Sequence, residues 1–402
     1  MSDIVPDMAS DDVKPYCIWY PDVASEDTYR KLAQRYPDMR YHVGRASAAT
    51  GYDTLYKELD LLPEISIAEE ARDNKRNGAP IFKDIVSRPV RYKVLDDYTR
   101  TANLQAPEAG AYLNGQTTVR SSLPGVKKRE HDPHYDHYFN IQEDGRVGEP
   151  SDPSVHQKLE DEHMSLLYSP LPRDLPTTNK DVLIIMAVWD GNIDRYSRLR
   201  RPKRIANEIS AVIRGIHYHT PFAHWVETHL KDSFAYKEWK VLRQALHARF
   251  IMNNDLSRIH GEVDGDELLH IFWWPHFPYQ NTLRELAWRR PDLKGQVAIA
   301  CITANYQDVN DELKAEPSRW QWEAACQSPN PHYRGDIERR AAEQGIDLET
   351  ELIEFEFGVP AVWKERKAFL QFKKESTGLP EIPEALVNTP YVHGDDPYAW
   401  ED

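Results

Sequence analysis

Cysteine is scarce in this chain of 402 residues. Cys17, Cys301 and Cys326 are odd in number and widely spaced, which excludes a disulfide framework and fits a reducing compartment. Long apolar runs are missing as well. The longest, Val182–Trp189, falls far short of the roughly 18 residues a membrane helix needs. Met1–Lys14 is acidic and has no apolar stretch of the secretory kind. Positive charge is in deficit, with 50 Lys and Arg against 65 Asp and Glu and a net charge of −15. Such a surface repels phosphate backbones, so general nucleic-acid binding is disfavoured. The expected setting is the cytoplasm, with the nucleus also open, and no membrane.

The short catalytic signatures are absent too. There is no Gly-x-x-x-x-Gly-Lys-Ser/Thr loop, no Gly-x-Gly-x-x-Gly, no His-Glu-x-x-His and no Gly-x-Ser-x-Gly. No cofactor is therefore expected.

What the chain does contain is a copy of part of itself. Residues 18–60 and 272–314 align without a gap at an offset of 254, and fourteen of 43 positions are identical. Among them are Trp19/Trp273, Arg30/Arg284, Pro37/Pro291, Val43/Val297, Tyr52/Tyr306 and Glu58/Glu312. Internal repetition decides architecture before any motif does. In each copy an aromatic stretch precedes a helical pattern, with Tyr29, Leu32, Ala33 and Tyr36 at the 3.6 period in the first. Ser25 or Asp27 is placed to cap it, and Pro37 or Pro291 to stop it. A second helix of small residues, Val43–Ala49, then leads through Thr50-Gly51-Tyr52 to a stripe of Leu55, Tyr56 and Leu59. A fainter third echo spans Ile184–Leu199 through Gly191-Asn192. Ala211–Leu230 and Val241–Ile259 read as further helical units.

The order of small helix, Gly-Asn turn and apolar helix resembles ankyrin-type repeats. The Thr-Pro-Leu-His opening and the regular 33-residue spacing of that family are missing. The expected fold is all-α, a degenerate ankyrin-like helical-repeat solenoid with a long irregular insertion. The expected layout is a flexible tail over 1–15, a helical block over 16–102, a loop-rich insertion over 103–180, a second block over 181–375 and an acidic, Pro-containing tail over 376–402. Stretches such as Trp19-Tyr20-Pro21-Asp22-Val23-Ala24 and Asp336-Ile337-Glu338-Arg339-Arg340 also resemble an uncharacterised family of filamentous-fungal proteins. That resemblance implies an origin and no activity.

Several side chains are candidates for function. Trp19, Tyr20, Trp273 and Trp274 could line a binding groove, against the alternative that they seal repeat joints. Arg195, Arg198, Arg200, Arg201, Lys203 and Arg204 form the one conspicuous basic stretch. It could dock an acidic partner, phosphate or RNA, or it could be a solvated helix end. His131, His134, Asp136 and His137 have metal-ligand chemistry, although their Pro/Gly-rich setting reads as a loop. His217-x-His219 with His224 and Glu227 resembles a cupin metal spacing, but the neighbourhood reads helical. Cys301 occupies a small packing position that Ser47 fills in the first copy.

The functional expectation is a non-catalytic scaffold that binds a protein partner. The alternative is an enzyme of specialised metabolism without standard motifs, either metal-dependent through residues 131–137 or similar to tRNA-dependent cyclodipeptide synthases. The Asp-Asp-x-x-Glu pattern associated with the latter fails at Asp96-Asp97-Tyr98-Thr99-Arg100 and at Asp395-Asp396-Pro397-Tyr398-Ala399.

Overall fold

The computed structural model describes residues 3–10, 13–19, 22–97, 99–114, 159, 161–178, 180–201, 208–259, 272–273 and 276–348. The fold is all-α in class, with two short β-ribbons among the described residues. The chain divides into two compact units. One comprises Met1–Leu183 with Leu199–Arg204, and the other Ile184–Arg198 with Ile205–Asp402.

In the first unit, α1 (Glu26–Arg35) starts where the Ser25 hydroxyl accepts the Thr28 N–H, and it carries Glu26 and Asp27 in its first turn. Acidic residues there complement the helix dipole. Tyr29, Leu32 and Ala33 form its buried stripe. A 3₁₀ turn over Pro37–Met39 separates it from α2 (Arg40–Thr50). Helix α2 buries every residue from His42 to Ala49 and so runs through the interior. It ends at Gly51, which adopts φ 83°. The Tyr52 N–H then closes back onto the Ser47 carbonyl at 2.9 Å, the six-to-one bond of a Schellman turn. Three more helices follow: α3 (Asp53–Leu59), α4 (Ile65–Asp73) and α5 (Ala79–Ser87). Trp19, Tyr29, Val43, Ala46 and Leu55 share one core, and Ile67, Ala71, Ile81 and Ile85 a second. Strand β1 (Tyr92–Lys93) pairs antiparallel with β4 (Glu108–Ala109), and β2 (Leu95–Asp96) with β3 (Thr101–Ala102).

In the second unit, α6 (Lys180–Trp189) enters from the division and α7 (Ile193–Leu199) follows it. Next come α8 (Glu208–Tyr218), α9 (Thr220–Ser233) and α10 (Trp239–Met252). Then α11 (Gln280–Arg289), α12 (Lys294–Ala304) and α13 (Gln307–Leu313) reproduce α1 to α3 at the offset of 254, residue for residue at both ends. Asn305 replaces Gly51 at the left-handed turn, with φ 57°, and the Tyr306 N–H bonds the Cys301 carbonyl at 2.8 Å. One ion pair is also duplicated: Arg30 Nε donates to Glu58 Oε2 at 2.7 Å, and Arg284 Nε to Glu312 Oε2 at 2.6 Å.

The duplication reaches further than the sequence alignment. Helix α14 (Arg319–Gln327) matches α4 at the same offset, and the last helix, α15 (Pro331–Gln344), packs on α14. The caps correspond as well: Glu64 accepts from the Ile67 N–H, and Ser318 from the Gln321 N–H. The third echo, α6, turn and α7, has Gly191 at φ 62° and the Asn192 N–H bonded to the Ala187 carbonyl at 2.8 Å, and α7 starts two residues after the glycine and runs for 7 residues, as α3 does.

Candidate functional site

Because α2 is buried along its length, Arg45 at its centre has no route to solvent and is 0% exposed. A buried guanidinium must be paired, since removing an isolated charge from water costs several kcal/mol or more. Its partners come from two other segments. Nε donates to Glu70 Oε2 on α4 at 3.0 Å, and the two terminal nitrogens reach both oxygens of Asp97, just after β2. The segment before α1 closes the cluster. Tyr16 Oη donates to Asp97 Oδ1 at 2.7 Å, and the guanidinium carbon stands 4.8 Å from the centre of the Trp19 ring. His42, one turn earlier on α2, meets Tyr16 edge-on at 5.2 Å.

One cation here faces three carboxylates. Besides Glu70 and Asp97, the buried Glu64 lies within electrostatic reach of Arg45. Burial raises the pKa of Glu64, and that of Glu70 well above the ordinary carboxylate value. Desolvation pushes His42 down to about 4, with the Arg45 charge adding to the effect, so His42 is neutral. Three buried atoms of the cluster find no hydrogen-bond partner among the described residues: Glu70 Oε1, His42 Nδ1 and Trp19 Nε1.

The second copy provides an internal control. At the positions of His42, Arg45 and Glu70 it carries Gln296, Ile299 and Ala324. Its helices nevertheless have the same bounds. The charge cluster is thus not a requirement of the helix arrangement, and the first copy alone retains it. The sequence did hold a signal for it: Arg45 interrupts the small-residue run Val43–Ala49 and aligns with isoleucine.

On the outside, the copies differ in the opposite sense. Trp288 on α11 is 75% exposed where the first copy has Gln34. With Asn281, Arg284 and Glu285 it lines a shallow depression of about 460 Å³ along one helix face.

The residues singled out from sequence fall as follows. Trp19 and Trp273 are both core, Trp19 fully buried and Trp273 7% exposed, so their rings pack the interior and do not line a groove. Tyr20 and Trp274 lie outside the described residues. Of the basic stretch, Arg195, Arg198 and Arg200 are half-buried and Arg201 is buried, while Lys203 and Arg204 lie outside the described residues. His131, His134, Asp136 and His137 also lie outside them. His217 is buried on α8, whereas His219 precedes α9 and His224 and Glu227 lie on it, because the chain breaks at His219 before Pro221. Glu227 is instead engaged by Arg258, Nε to Oε1 at 2.7 Å. Among the described residues, no three His, Cys, Asp or Glu side chains converge as a metal site. Burial pushes the Cys301 thiol up to about 12, which leaves it protonated and unreactive.

The fold and these sites define an all-helical protein with an internal duplication, a buried charge cluster in one copy and an exposed aromatic face on the other. Residues 19–122 match the family model described as the YKP1 C-terminal domain. The match covers about a quarter of the chain and takes in the Trp19, Arg45, Glu70 and Asp97 positions. No curated protein and no solved structure matches the chain. No helix among the described residues is long and apolar enough to cross a membrane.

Proposed function

We propose that this protein is a non-catalytic scaffold whose duplicated helical unit binds a protein partner. The observation that carries the reading is Trp288. Between the copies most inward positions of α1 to α3 stay apolar in α11 to α13, Arg45 being the exception described above, while an outward glutamine stands where the other copy has a tryptophan left largely in water. Repeat scaffolds acquire binding faces by varying outward positions over a constant core. A solvent-exposed tryptophan beside an arginine has the composition of a binding hot spot. The shared unit of helix, Schellman turn and helix is a divergent form of the ankyrin-type unit, with neighbouring units stacked as a solenoid. The fungal resemblance and residence in the cytoplasm or nucleus belong to the same reading.

The test is quantitative affinity purification from a native extract with the full chain and with Trp288→Gln, the residue of the first copy. A specific partner is expected, with affinity reduced about 30-fold or more in the variant, as for a hot-spot residue worth about 2 kcal/mol. Equal recovery by both proteins removes Trp288 from the interface. No partner at all, together with turnover of a metabolite by the pure protein, overturns the scaffold reading.

A further inference from the structure

We propose that the cluster around Arg45 is a proton-dependent latch, in which Glu70 holds a proton while the first unit is closed and the unit opens more readily as the solution turns alkaline. The inference is independent of the binding reading. It rests on geometry and on the comparison between copies. One guanidinium pairs with the fully buried Glu70 and with the largely buried Asp97, the nearby Glu64 accepts backbone N–H groups instead, and Glu70 Oε1 has no donor among the described residues. A carboxylate oxygen with no donor is stabilised in the carboxylic form. The other charged groups do not remove the imbalance. On α4, Asp73 adds a further negative charge near Glu70, and Arg72 is engaged by Glu69. On α2, His42 is neutral. The segment before α1 brings Tyr16, whose hydroxyl stays protonated, and Cys17, pushed up to about 11 by burial. Among the elements packed on α4, Lys83 of α5, Arg88 just after it and Lys93 of β1 are exposed, and Asp84 pairs with Arg88.

The latch joins three parts of the unit. Tyr16 and Trp19 hold the segment before α1, Glu70 holds α4, and Asp97 holds the end of the β2 region, all through the one side chain of Arg45. The second copy, with Ile299 and Ala324, has no counterpart.

The sign follows from linkage. The folded-state pKa of Glu70 is raised, so its stabilising effect is complete below the unfolded value and is lost as pH rises through the folded value. His42 acts in the opposite direction, but only between about 4 and its ordinary 6.5. Glu69, raised to about 7 by burial, acts in the same direction as Glu70 and has largely completed its change about one pH unit higher. Above that, Glu70 and the likewise raised Glu64 carry the remaining dependence, and the Glu70 variants separate the two.

The experiment is hydrogen–deuterium exchange of the full chain between about pH 8 and 9.5, above the titration of Glu69, corrected for the intrinsic rate. Peptides from α2 and the 16–19 segment are compared with α12 of the same molecules. The opening equilibrium of α2 is expected to rise by up to about tenfold per pH unit, the slope of one proton, while α12 stays constant. Glu70→Gln keeps the Arg45 contact and cannot ionise, so it should abolish the slope. Should that variant not fold, the pair Arg45→Ile with Glu70→Ala, the residues of the second copy, should abolish it as well. Protection of α2 that is constant or rising with pH in the unmodified protein overturns the proposal. So does a slope that survives unchanged in the variants.

Discussion

Arg45 and Gly44 are neighbours on a helix with almost no exposed surface, and each is tolerated for a different reason. Arg45 is held by charge. Removing one partner of a buried pair leaves the others uncompensated and typically costs about 3–5 kcal/mol. Arg45→Ala is therefore expected to lower stability in urea denaturation by about that much. The pair Arg45→Ile with Glu70→Ala should recover part of the loss, since Glu70 is no longer left with a lone charge while Asp97 still loses the guanidinium. Gly44 is held by space. A Cβ there would stand 2.4 Å from Leu61 Cδ1. At the aligned positions the second copy carries Ala298 and Ala315, one carbon more for the glycine and three fewer for the leucine. Gly44→Ala should cost about 1–3 kcal/mol by overpacking, and adding Leu61→Ala should restore much of it. Thermal unfolding of the single and double variants checks both expectations.

At the scale of elements, the Schellman turn is the recurring device. Gly51, Gly191 and Asn305 all take the left-handed conformation between two helices, and the residue after each bonds back five positions. Only glycine, and asparagine less readily, adopts that φ cheaply. Gly51→Ala is expected to cost about 1–2 kcal/mol in backbone strain, and more from contact with Asn77, whose Cβ lies 2.2 Å from the added carbon. Asn305→Gly keeps the turn but removes the oxygen that accepts from Tyr333 Oη at 3.2 Å and Asn330 Nδ2 at 3.1 Å, so it should cost about 1 kcal/mol in the same unfolding assay. This device explains why the helices could be read from sequence: apolar spacing, Pro37 or Pro291 and a Gly or Asn mark the ends of α1 and α2 and of α11 and α12. The match of α14 to α4 was not legible, because Ile65, Ile67 and Glu70 have become Arg319, Gln321 and Ala324. Only helix bounds and cap geometry preserve it. The charge cluster was hidden for a related reason: Tyr16, Arg45, Glu70 and Asp97 are far apart in sequence and meet only through tertiary packing.

At the scale of the whole molecule, duplication has separated two tasks that one unit would have to combine. The first unit keeps a buried polar cluster, which adds little net stability and makes folding conditional on charge state. The second has an apolar counterpart and carries the exposed Trp288. Conditions that disturb the first unit need not disturb the second. Stepwise thermal unfolding with an alkaline-sensitive first transition would be the calorimetric sign of that separation.

The exchange of bulk between Gly44/Leu61 and Ala298/Ala315 also has a genetic consequence. Duplicated segments tend to be made uniform by recombination. A crossover between the two positions would join Ala with Leu and overfill the contact, or join Gly with Ala and leave it empty. Either hybrid is expected to fold less well than both parents. Having changed on both sides of the contact, the copies resist being blended piecemeal, and they are free to keep diverging.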